Sequence, residues 1–67
     1  METDLEGERA AFIAGEVGGA VLELVFQGKE ISRDNVVECL EMKRKAVGNV
    51  IHKGILRDAA GIVRKGK

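Results

Sequence analysis

The chain has no proline, tryptophan or tyrosine, and only one cysteine, one histidine, one serine and one threonine in its 67 residues. Cys39 alone cannot build a disulfide framework. With His52 as the single imidazole there is no Cys/His set for a structural metal, so no cofactor or metal is expected. A nucleophile, a base and an orienting group would have to be assembled from single copies at unrelated positions, which argues against an enzyme and against a small-molecule substrate. The nine glycines form neither a G-x-x-x-x-G-K-[ST] nor a G-x-G-x-x-G motif, so no phosphate cradle is predicted. Phe12 and Phe26 are the only rings, too few to form a stacking platform for single-stranded nucleic acid.

What is present is aliphatic and charged. Hydrophobic residues make up 45% of the chain, and the formal net charge is zero. That zero conceals a segregation. Residues 1–42 carry three cations against ten carboxylates, a net of −7, and residues 43–67 carry eight cations against Asp58, a net of +7. The halves are expected to attract each other within a hairpin or across a dimer, choosing orientation more than supplying stability. A single domain over 1–67 of this size supplies only about 3–5 kcal/mol from its own core. With disulfides and metals excluded, self-association is the remaining support, and an all-α homodimer is predicted.

No positive n-region opens the sequence, so export is not expected, and a reducing cytoplasmic location follows. The most apolar stretch, Ala10 to Phe26, contains Glu16 and Glu23. Each would cost about 2.5–3.5 kcal/mol at a bilayer centre, so no membrane partner is expected.

Thr3-Asp-Leu-Glu6 reads as a capping box that starts helix 1. Arg9, Glu16, Glu23 and Gln27 fall on one narrow polar stripe, and most of the remaining circumference is apolar. A wall that wide exceeds what one short helix can cover, which again points to a second subunit. Ile13, Val17, Val21 and Leu24 are predicted at the dimer interface, joined by Ile51, Ile55 and Ile62 from the last helix. Gly15, Gly18 and Gly19 together cost about 3 kcal/mol against alanine in a helix interior. With Ala11 they form a smooth seam at small-xxx-small spacing, where another backbone can approach closely. Gly28 suits the left-handed position that ends helix 1, and Ser32 the N-cap of helix 2. Whether helices 2 and 3 are separate is left open by Gly48 and Asn49, giving a two- to three-helix hairpin per chain.

Lys53, Arg57 and Arg64 lie within about 40° on the last helix, with Lys65 adjacent. They are candidates for contacting DNA or a protein partner, although that helix offers only Asn49 as an amide side chain for base reading. A solvated face suited to a helix C-terminus is the simpler reading. His52, near Gly48 and Leu56, reads as a packed histidine, or as a pH sensor whose protonation near pH ~6 weakens the interface. Cys39 reads as a small core residue.

The stretch Ala20-Val-Leu-Glu-Leu-Val-Phe-Gln-Gly28, then Ile31 and Asn35-Val-Val-Glu-Cys-Leu40, then Asn49-Val-Ile51 and Ile55-Leu-Arg57 with Ile62-Val63, resembles the YmgB/AriR family of small bacterial biofilm and acid-resistance regulators. The similarity spans roughly residues 17–63. The resemblance implies an antiparallel coiled-coil-like homodimeric bundle that acts as a connector in two-component signalling. It also implies that Asn35 caps or steadies the start of helix 2 and that Arg57 lies on an outer basic face. The expected function is therefore a non-enzymatic regulator working through contact with a signalling protein. The alternative is a DNA-binding transcriptional regulator that uses the basic face of the last helix, and an antitoxin-like interaction module is a third, less specific reading.

Overall fold

The structure, a computed structural model, describes residues 5–66 as three helices: α1 (Leu5–Gln27), α2 (Arg33–Ala46) and α3 (Val50–Lys65). The Thr3–Glu6 capping box lies outside the residues whose side chains are described. Each boundary has a local cause. Gly28 takes φ 71°, the left-handed conformation. Its N–H donates to the Val25 carbonyl at 3.1 Å and that of Lys29 to the Leu24 carbonyl at 2.9 Å, closing a Schellman motif on α1. Four residues on, the Ser32 hydroxyl accepts from the Asn35 N–H at 3.1 Å and opens α2. The Asn35 side chain reaches back to donate to the Glu30 carbonyl at 2.8 Å, so this residue holds the loop against the helix start.

Helices 2 and 3 are separate. Asn49 leaves helical geometry and its side-chain oxygen accepts from the His52 N–H at 3.0 Å, so it is the N-cap of α3. Lys53 Nζ donates to the Arg44 carbonyl at 3.1 Å, satisfying one of the acceptors left open at the end of α2. Asp34 in the first turn of α2 and Lys43, Arg44 and Lys45 in its last complement the helix dipole.

The core is small and aliphatic: Ala20 and Leu24 from α1, Val36 and Leu40 from α2, and Leu56, Ala59 and Ala60 from α3. The two alanines of α3 let α2 pack closely on it, and Leu40 and Leu56 are the large side chains wholly removed from water. Ile13, Val17 and Val21 pack around the margin of this core, with Val37, Cys39, Val47 and Val63. The three helices form a bundle within one chain.

Truncating Leu56 to Ala should cost about 2–5 kcal/mol, comparable to the whole stability of a domain this size. Urea or thermal unfolding should therefore find Leu56→Ala largely unfolded, whereas Met42→Ala, 64% exposed, should stay within about 0.5 kcal/mol of the parent.

Candidate interaction surfaces

Two residues of the polar stripe of α1, Arg9 and Glu16, reach the other helices, while Glu23 and Gln27 are exposed. Glu16 Oε2 lies 2.9 Å from His52 Nε2, and Glu16 Oε1 is 3.5 Å from Lys43 Nζ, an ion-pair distance without a hydrogen bond. One carboxylate thus joins α1 to both α2 and α3. Arg9 pairs with Asp58, tying the start of α1 to the middle of α3. His52 has a carboxylate partner and about a third of its side chain exposed, in place of the apolar surroundings its neighbours in sequence suggest.

With Arg9 and Glu16 turned toward α2 and α3, the opposite side of α1 meets water. Phe12 is 60% exposed, Leu22 56%, Val25 51% and Phe26 80%. Ala11, Ala14, Gly15 and Gly18 lie exposed among them. A Cβ added at Gly15 or Gly18 would meet nothing within 4 Å, so nothing within the chain occupies that part of the seam. Gly19 points elsewhere, with Lys43 Nζ 3.8 Å from where its Cβ would be. Gly7–Gln27 is also long and apolar enough to cross a membrane by length and composition, at a mean hydropathy of 1.4.

The residues expected at a dimer interface therefore divide. Leu24 is buried within the chain, Ile13, Val17 and Val21 pack against the same core, and Ile55 is half-buried. Ile51 and Ile62 are exposed, at 76% and 56%. Ile62 lines an open groove of about 680 Å³ between α1 and α3, together with Ile13 and Ala14, with Arg9, Arg57 and Lys65 on its rim.

The basic residues of α3 do not form one free surface. Lys53 holds the Arg44 carbonyl, Arg64 lies 3.5 Å from Glu41, and Arg57, itself exposed, lies 3.6 Å from Asp58. Lys53, Arg57 and Arg64 share one side of the helix, as their spacing dictates, but Lys53 and Arg64 both engage α2 from it. Lys65 is exposed at the groove.

Among the described residues, two groups are electrostatically shifted. The Arg44 hydrogen bond to Glu41, 2.9 Å from Nε, holds that carboxyl below its usual range despite partial burial, and Arg64 adds to the effect. Burial pushes the Cys39 thiol up, aided by Glu23 and opposed by Lys43. Cys39 is thus a poor nucleophile at neutral pH, consistent with a packing role. Among the described residues no group of three or more His, Cys, Asp or Glu side chains is placed to hold a metal ion.

Because the Glu41 carboxyl is depressed in the folded state, the stability it contributes is complete above its unfolded pKa and is lost as pH falls through the lower folded value. Glu41→Gln should lower the melting temperature at pH ~7, and the gap from the parent should shrink in acid below the ordinary carboxylate range of about 4. A gap that is constant with pH would contradict this assignment. Compared with protein-family models, with curated proteins and with solved structures, the chain shows no significant match.

Proposed function

We propose that this chain is a small non-enzymatic regulator that works as a homodimer through protein contact, in the manner of the connectors of bacterial two-component signalling linked to biofilm formation and acid resistance. One observation carries the reading: the chain spends its polar side chains on holding three helices together and leaves a broad apolar face of α1 uncovered. A face of that kind suits recognition of another protein surface. The signalling setting rests on the resemblance to the YmgB/AriR family alone, and a cytoplasmic location accords with it.

Protein contact is favoured over DNA binding because half of the expected cationic footprint is engaged within the chain. Lys53 and Arg64 are engaged with α2, which leaves Arg57 and Lys65 as the freer charges. A specific duplex-binding surface neutralises several phosphates and reads bases with amide or arginine side chains.

The test uses the purified chain in two arms. Crosslinked capture from bacterial extract should return a sensor kinase or response regulator. The chain should show no retention on duplex DNA at about 50 mM salt. Retention that disappears by about 200 mM salt and in the Arg57→Ala/Arg64→Ala double variant would replace this reading with the DNA-binding one.

A further inference from the structure

We propose that the groove between α1 and α3 receives an acidic amphipathic helix of a partner protein. This rests on the protein-contact reading above and gives the partner a docking site and a chemistry, on a surface separate from the outward face of α1. The floor of the groove is apolar, with Ile13 from α1 and Ile62 from α3, and Ala10, Ala14 and Gly61 beside them are small. A Cβ added at Gly61 would meet nothing within 4 Å, so that position borders space which no side chain of the chain fills. Glycine is a poor residue for a helix interior, and no contact within the chain calls for it there. Walls this small let another helix approach to the usual interaxial distance of roughly 8–10 Å.

The rim selects the sign of the occupant. Arg9, Arg57 and Lys65 border the groove with Asp58, three cations against one carboxylate, a net of +2. Asp58 is shared, because it pairs with Arg9 and lies 3.6 Å from Arg57. One carboxylate cannot neutralise both guanidinium groups. Lys65 is exposed and has no partner among the described residues. The whole chain is neutral, so this excess is local. Carboxylates on either side of an apolar stripe complement it, and a basic helix is repelled.

The walls select the shape. Both are helices with their backbone groups already bonded, so an extended peptide finds no strand edge for its own N–H and C=O groups. A helix arrives with its backbone satisfied and presents side chains alone. Arg57 and Lys65 are separated by eight residues, or about 12 Å along α3. That length seats three apolar anchors at i, i+4 and i+7, which span about 10.5 Å. Acidic residues two turns apart on one flank then face Arg57 and Lys65, and one on the other flank faces Arg9. Duplex phosphates gain nothing from an isoleucine floor, and a bilayer meets convex apolar faces better than a concave one. A small amphiphile is better held by a pocket that encloses most of its surface than by an open groove.

The experiment titrates the ¹⁵N-labelled chain with a helically constrained peptide that bears leucine at i, i+4 and i+7 and glutamate on both flanks. Amides of Ala10, Ala14 and Gly61 should shift. A peptide with lysine in place of every glutamate should bind at least about tenfold more weakly, and the Arg57→Glu/Lys65→Glu chain should lose about tenfold in affinity for the acidic one. Gly61→Phe should abolish binding and Gly61→Ala should keep most of it. Both should retain the parent's far-UV spectrum and sedimentation, since the added side chain enters open space.

No binding, equal affinity for the two peptides, shifts confined to Leu22 and Phe26, or binding untouched by Gly61→Phe would each overturn the groove as the site. Sodium decanoate displacing the peptide at equal or lower concentration would assign the groove to a small amphiphile instead. Self-association lost in Gly61→Phe would assign it to a second copy. The proposal and the homodimer reading fail separately: a parent that dimerises in sedimentation without taking the peptide overturns the groove alone. A parent that stays monomeric and binds the peptide there supports the groove and overturns the homodimer.

Discussion

α1 is apolar around most of its circumference, and the two shorter helices can cover only one side of it. That mismatch governs the rest of the molecule. α2 and α3 pack closely on each other through Leu40, Leu56, Ala59 and Ala60, and together they present a single surface to α1. Ala20 and Leu24 fill that surface, Ile13, Val17 and Val21 line its margin, and the apolar residues on the far side have nothing to rest against.

The orientation of α1 is fixed by its polar residues as much as by its apolar ones. Turning the helix to bury Leu22 and Phe26 would pull Glu16 away from Lys43 and His52, and Arg9 away from Asp58. Such half-exposed pairs contribute little stability individually, typically about 0–1 kcal/mol. Here several act on one rotational choice, and burial alone distinguishes the alternatives less sharply because both faces of the helix are apolar. Small electrostatic terms can decide between near-equal packings. The segregated charge of the sequence is used in this way, with Glu16 to Lys43 and Glu41 to Arg64 joining the acidic half of the chain to the basic half.

The punctuation of the fold was legible in the sequence. Gly28 needs only its freedom at positive φ to end α1, and Ser32 caps α2 through a hydroxyl at the expected spacing. Asn49 carried the same kind of signal for α3, because an asparagine outside a helix start accepts from the third residue on. Asn35, expected to cap or steady the start of α2, does not cap it, because Ser32 does, and its side chain donates instead to the Glu30 carbonyl. What periodicity could not reveal was which apolar face is covered by the chain itself. Ile13, Val17, Val21 and Leu24 share a face by spacing alone, yet spacing does not say whether that face meets α2 or another molecule. The Glu16 to His52 contact joins residues 36 apart in sequence, and no local rule predicts it. Nor did helical spacing on α3 show that Lys53 and Arg64 would be taken up by α2.

The division between a covered and an uncovered face of α1 can be read directly from amide chemical shifts in ¹H–¹⁵N spectra of the intact chain at dilute and concentrated extremes. Amides of Gly15, Gly18 and Leu22 should move with concentration, while those of Leu40, Leu56 and Ala59 stay fixed. Spectra that superimpose at all concentrations, or shifts confined to Ile51 and the basic side of α3, would contradict the proposal that this chain associates through the uncovered face of α1.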